Sequence, residues 1–265
     1  MNLETNSVAS LCALFSTLHK LGDVDQPFKF ERNGATMLSF AAHGTAVVQW
    51  LGQISIYQCT QPYKVCLDIE TLAQLLANTK TCKIARLELS GQYPVTIDLK
   101  LRSDARDRAY TVNLLEDDGS VNRMPLLNPE WQYPDSVSVQ SIEFKKTITD
   151  FNGPPLSATS VRISYTPNTL LLLECNSTAV KNAQEHYRPN AVVKFESTVS
   201  SPAKFPRQAY PLRLLLHLTK ISKAAPILRI YPAVNEGTPL RIDGELTGLG
   251  VFRMYLTPRI DEFDE

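Results

Sequence analysis

One order of segments, helix then strand, turn and strand, occurs twice along this chain, and a chain that repeats a unit has to join its copies. Near the start, SVASLCALFSTLHKLG places Val8, Leu11, Leu14, Phe15 and Leu18 at helical spacing, with Gly22 as the stop. FKFERNGATMLSF follows as two short apolar runs joined by Asn33-Gly34, a hairpin signal. Further on, SIEFKKTITDFNGP puts Phe144, Ile148 and Phe151 on one helical face and ends at Gly153. VRISYTPNTLLLLE then reads as strand, Pro-Asn turn, strand.

A second pair repeats the logic. DIETLAQLLANTKT predicts a helix with Asp68 as N-cap and Leu72, Leu75 and Leu76 as its stripe, leading into IARLELS and YPVTIDLKL. YPLRLLLHLTKISKAA predicts a helix from Tyr210 to Ala224, leading into PILRIYP and TPLRIDGEL. Pro94 to Asp98 (PVTID) and Pro239 to Asp243 (PLRID) are the clearest echo between the halves. The chain reads as two copies of one unit, each with two helices and many short strands. Residues 1–116 form the first domain, 117–136 the connection and 137–265 the second. The connection carries three prolines and an acidic run, yet Met124, Leu126, Leu127, Trp131 and Tyr133 are too apolar for a free tether. It is expected to lie against the protein.

Composition narrows the class. Of the 265 residues 43% are hydrophobic and 20% charged, as in a soluble globular protein, and Lys+Arg balance Asp+Glu at 27 each. The odd count of five cysteines, without a C-x-x-C pair, argues for reduced thiols and against a zinc site or disulfide framework. MNLETNSVAS lacks a basic-then-apolar leader, and runs such as TLLLLEC are too short to span a bilayer, so an intracellular protein without membrane contact is expected. Asn176-Ser177-Thr178 fits a glycosylation sequon and, in that setting, is read as coincidence. The chain ends VFRMYLTPRIDEFDE, a strand reaching Tyr255 and Pro258 before an acidic tail. An aromatic and a proline at a strand end suit a docking rim better than a core.

Zero net charge hides an asymmetry. No acidic residue lies between Glu196 and Glu236, while Arg213, His217 and Lys220 fall at i, i+4 and i+7. His19 and Lys20, Lys80 and Lys83, and Lys145 and Lys146 add cations to the other helices, and acid gathers in the connection and the tail. The plain alternative is that any helix needs a wet side. The sharper one is a surface that a polyanion touches, for which phosphates need only positive charge.

Five stretches, in this order, resemble the sliding-clamp family of the proliferating cell nuclear antigen (PCNA) type: LSFAAHGTAVVQ (38–49), NPEWQY (128–133), EFKKTITD (143–150), PLRIDGEL (239–246) and YLTPRIDE (255–262). The chain departs from the family pattern at Asn128, at Met254, at His43 (one place early) and in the sparse lysines of the first helix. That drift points to a remote or viral lineage. The resemblance implies an α+β DNA-clamp fold, two similar domains each with two helices on antiparallel β-sheets, closed as a homotrimeric ring. It implies a DNA polymerase processivity factor in the nucleus or at a viral replication site. The ring would encircle double-stranded DNA without sequence preference and be loaded by a clamp loader. Lys20, Lys80, Lys146, Arg213 and Lys220 would face the DNA. Phe40, Leu126, Leu127, Tyr133, Pro239, Tyr255 and Pro258 would form a pocket for PIP-box-like peptides of the polymerase and other replication and repair proteins. The partner's backbone would pair along the tail beyond Pro258. The subunit edges would be the strands around AYTVNLL (109–115) and LLECNST (172–178).

Two other classes remain open at this level. A checkpoint-type clamp subunit would share the fold but assemble with different chains, and a β-rich structural protein would bind no DNA. Catalysis is not expected. The four histidines sit in unrelated contexts, no nucleophile-elbow, P-loop or H-E-x-x-H motif occurs, and Gly248-Leu249-Gly250 lacks a third glycine. No cofactor or metal is called for.

Overall fold

The computed structural model of the protein describes residues 1–21, 25–41, 44–52, 57–79, 81–116, 131–197 and 205–259. Its first half runs β1 (Asn2–Thr5), α1 (Val8–Leu21), β2 (Asp25–Glu31), β3 (Gly34–Ala41), β4 (Gly44–Gly52), β5 (Tyr57–Gln58), β6 (Tyr63–Asp68), α2 (Ile69–Ala77), β7 (Ile84–Glu88), β8 (Thr96–Arg102) and β9 (Asp107–Asn113). Its second half runs β10 (Asp135–Gln140), α3 (Ser141–Asn152), β11 (Ser160–Thr166), β12 (Leu170–Cys175), β13 (Ala183–Tyr187), β14 (Lys194–Ser197), β15 (Gln208–Pro211), α4 (Leu212–Leu218), β16 (Ile227–Tyr231), β17 (Leu240–Leu246) and β18 (Gly250–Leu256). The order of helices and strands is the same in both. The protein is α+β, and the strand pairs are antiparallel.

The helices form where the apolar spacing asks for them. Leu11, Leu14, Phe15 and Leu18 bury one face of α1, and Phe144, Ile148 and Phe151 bury one face of α3. Asp68 caps α2 by accepting from the Thr71 amide at 2.9 Å and its hydroxyl at 2.6 Å. Two boundaries differ from expectation. Tyr210 belongs to β15, and α4 stops at Leu218, where a 3-10 turn over Thr219–Lys223 takes over. The Thr219 hydroxyl donates to the Leu216 carbonyl at 2.6 Å, the acceptor an α-helical Lys220 amide would use. In the first hairpin Glu31 pairs with Gly34, so the turn is Arg32-Asn33, and Gly34 opens β3 at φ 142°.

Three sheets result: β5-β1-β7-β8-β9, β14-β10-β16-β17-β18-β4-β3-β2-β6 and β13-β12-β11-β15. The nine-stranded sheet joins the halves, because β18 pairs with β4 from Gly250 opposite Gly52 to Leu256 opposite Ala46. Phe252, Met254 and Leu256 are fully buried there, in an apolar core that runs through both halves. β9 is a sheet edge, as expected. The strand of LLECNST is not, since β12 lies between β11 and β13. Ser177 turns the chain after Cys175, its amide donating to the Val180 carbonyl at 2.9 Å, and β13 becomes the edge instead.

The helices share one layer. α1 packs on α2, on α4 and on the 3-10 turn, and α3 packs on α4 and on that turn. The row therefore reads α2, α1, α4, α3. All five cysteines are free thiols. Among the described residues no helix is long and apolar enough to cross a membrane.

Candidate functional site

Two surfaces gather the residues that the sequence singles out. The first lies on the helical layer. Lys20 on α1, Lys146 on α3, Arg213 on α4 and Lys220 in the 3-10 turn are all exposed, and Lys80 lies outside the described residues. No acid occurs in α1, α4 or the 3-10 turn. The convergence of three of these cations is visible at His217, which is half-buried between them. Burial first, then Arg213, Lys20 and Lys220, pulls the His217 pKa below its ordinary value. Lys20 comes from the first half of the chain and the other two from the second, so the positive field spans the join. Nearby, a groove of about 760 Å³ at the start of α1 is lined by Lys145, Lys220 and Lys223 together with Ser7, Ser10 and Thr79. Lys145 and Lys223 are outside the expected DNA-facing set. Helical spacing could not select them, because the groove forms only when α1 meets the 3-10 turn.

The second surface is aromatic and sits where β16 ends, β17 begins and β18 ends, on interior strands of the nine-stranded sheet. Tyr133 is pinned there by its hydroxyl, which donates to the Pro239 carbonyl at 3.0 Å. Its ring meets Tyr231 edge-on at 5.9 Å and lies 6.4 Å from Tyr255. The Arg241 guanidinium sits 5.5 Å from the Tyr133 ring and 4.2 Å from the Tyr231 ring. Asp243 holds that guanidinium, accepting from Arg241 Nε at 2.9 Å and from Arg253 Nε at 3.1 Å. Burial raises the Tyr133 pKa, so its hydroxyl stays protonated and keeps its bond to Pro239.

Tyr133, Pro239 and Tyr255 of the expected pocket thus meet in space. Tyr255 is only 8% exposed, less than a docking rim requires, because Tyr133 and Trp131 cover it; the Trp131 ring is 5.7 Å away. Phe40 is described only through its backbone in β3, and Leu126 and Leu127 lie outside the described residues. Pro258 lies two residues beyond the end of β18 and is half-buried. The expected free backbone beyond it is partly taken, since the Arg259 amide donates to the Ala209 carbonyl at 2.8 Å and ties this segment to β15. Arg241, Asp243, Tyr231 and Trp131 are additions. Alternating Arg241 and Asp243 on one strand face was the available sign of a clamp, and Trp131 stands two residues from Tyr133.

Among the described residues no group of three or more His, Cys, Asp and Glu side chains is placed to hold a metal ion. No protein-family model matches the chain, and no curated protein matches it.

Proposed function

We propose that this chain is one subunit of a ring-shaped sliding clamp, a nuclear or viral DNA polymerase processivity factor that encircles duplex DNA and tethers partners by an aromatic docking surface. The observation that carries the reading is the internal symmetry of strand pairing. β1 pairs with β5 and β7, as β10 pairs with β14 and β16. β2 lies between β3 and β6, as β11 lies between β12 and β15. Thus β4 corresponds to β13 and β18 to β9. In the chain β18 pairs with β4, but among the described residues their counterparts β9 and β13 end their sheets without a further strand. Open edges of this kind invite pairing. A second copy that repeats the β18–β4 relation fills both, joining head to tail in a way that closes into a ring.

The helical row supports the same step. α1 meets α4 at the internal join, so α2 and α3, at the ends of the row, would meet across copies. The register follows as well. Met254 faces Val48 at the end of the neighbour row Val137–Ile230–Ile242–Met254. The counterpart of that row in the first half is Leu3–Leu87–Leu99–Tyr110, a match two residues out of step with the Pro94 and Pro239 echo. Val48, facing Met37, has its counterpart in Glu185, facing Leu173. Tyr110 of one copy then faces Glu185 of the next, and Asp107 faces Arg188. Helices line the inner wall in this arrangement, with Lys20, Lys146, Arg213 and Lys220 toward the duplex phosphates and Lys80 expected beside them. Peptides that end in paired aromatic residues dock on the Tyr133, Pro239 and Tyr255 surface, to which the family resemblance adds Phe40, Leu126, Leu127 and Pro258.

The test is a native mass spectrum of the pure chain, with three copies per particle expected. Trimer formation also separates this reading from a mixed ring of different chains. A chain that stays monomeric at high concentration removes it. DNA affinity is then expected to fall steeply with salt and to be indifferent to base sequence.

A further inference from the structure

We infer that Trp131 is a built-in competitor for the Tyr255 ring, and that an incoming aromatic side chain has to displace it. The inference rests on the docking reading above and names the residue that regulates that site. Tyr133 and Trp131 both touch Tyr255, but they are held differently. Tyr133 is fixed by its hydroxyl bond to Pro239, by the Tyr231 edge and by the Arg241 guanidinium. Trp131 is half-buried, tilted 42° to the Tyr255 ring, and linked to the Tyr133 anchor through one exposed residue, Gln132. Rotation of the Trp131 side chain about its own two torsions swings the indole off Tyr255 while leaving the Tyr133 anchor in place.

The indole is itself the kind of group the surface would receive: a flat aromatic that buries a large area with few torsions to freeze. Seated on Tyr255, it makes the free protein's open form a minority, and apparent peptide affinity falls by the open fraction. A tilted aromatic contact of this kind corresponds to a loss of about threefold to tenfold in affinity. The same contact protects Tyr255 from water when no partner is present, which accounts for its low exposure.

A labelled peptide of the form Q-x-x-L-x-x-F-F is titrated into the wild-type chain and into Trp131→Ala. The variant is expected to bind about threefold to tenfold tighter, with the assembly mass unchanged. Equal affinities overturn the competitor role while leaving docking intact. Weaker binding by Trp131→Ala also overturns it, since Trp131 is then part of the wall the peptide uses. If neither protein binds the peptide, the docking reading falls and the competitor role falls with it. A second measurement needs no variant. The chain holds two tryptophans, and Trp50 is 5% exposed in the core. Acrylamide quenching therefore reports Trp131, and peptide binding is expected to increase it. Unchanged or reduced quenching at saturation contradicts displacement.

Discussion

The Trp50 indole N–H donates to the Leu249 carbonyl at 3.3 Å, tying a side chain of the first half to the turn between the last two strands. The same turn receives two more bonds from the first half. The Thr5 hydroxyl reaches the Gly248 carbonyl at 3.3 Å and the Ser10 hydroxyl the Thr247 carbonyl at 2.9 Å. The join between halves is therefore a sheet pairing clasped at one end by three side chains on three consecutive carbonyls.

Gly248 is where that clasp is most easily broken. It sits at φ +66°, and a Cβ there would lie 2.1 Å from the Ser7 Oγ. Gly248→Ala is expected to destabilise the chain by about 1–3 kcal/mol, through left-handed backbone strain and displacement of Ser7. Urea unfolding measures it. Adding Ser7→Gly should recover the contact part and leave the backbone part. A Gly248→Ala chain as stable as wild type would show that this turn is free to rearrange.

His217 gives a prediction in pH. Burial and the Arg213, Lys20 and Lys220 charges hold its folded pKa below 6.5. The unfolded chain then takes up a proton first as pH falls, so the His217 contribution is complete above 6.5 and is lost as pH drops through the folded pKa. His217→Gln should flatten stability against pH on the acid side of 6.5. Lys20→Gln should move the His217 titration upward, because one of three repelling charges is gone. Imidazole NMR titration reads both, and a His217 pKa unaffected by Lys20→Gln would mean that α1 and α4 do not bring these groups together.

What could be read in advance was whatever repeats within a few residues. Leu11, Leu14 and Leu18 announce α1, Asp68 announces the start of α2, and the Pro94 and Pro239 echo marks matching strands β8 and β17. β13 was missed because Gln184, Glu185 and His186 are all exposed, so its sequence shows no alternation of buried and wet positions. The early end of α4 turns on one hydroxyl, that of Thr219, which periodicity cannot weigh. The β18–β4 pairing links residues too far apart for any local pattern. At the aromatic surface, Tyr133, Pro239 and Tyr255 came from family likeness. The Arg241 clamp and the Trp131 cover depend on strand register and a connecting segment, and appear only in three dimensions.

Tyr133 can be tested without disturbing its ring. Tyr133→Phe removes the hydroxyl bond to Pro239 and leaves the buried Pro239 carbonyl without that donor. A loss of about 1 kcal/mol in stability is expected from one such bond. Peptide affinity should also fall, since the anchor of the connecting segment is loosened. Tyr255→Ala should go further, weakening the peptide by about 1–2 kcal/mol or more with the assembly mass intact. Isothermal titration distinguishes the two. If both substitutions merely unfold the chain, these rings are core and not a docking surface.

The last prediction concerns the two open edges. β9 presents Asp107, Arg108 and Tyr110, and β13 presents Glu185, His186 and Arg188 just past its end. Carried across copies, the β18–β4 register sets Asp107 of one subunit against Arg188 of the next. Asp107→Arg should therefore weaken assembly by placing like charges opposite each other, and Arg188→Asp should do the same. The double swap should restore assembly toward wild type. Asp107 also lies 3.5 Å from Arg102 within its own chain, so Asp107→Arg carries a local cost in the monomer as well. Arg188→Asp, on the other edge, does not touch that pair, and the double-mutant cycle subtracts the local cost. Exposed pairs are worth only about 0.2–1 kcal/mol each, but a closed ring of three contains every contact three times. Sedimentation at a series of dilutions resolves a change of that size. Recovery in the double swap supports pairing of β9 with β13 in this register. Two single variants that assemble as well as wild type, or a double swap no better than the worse single, would show that the open edges meet in another register or do not meet at all.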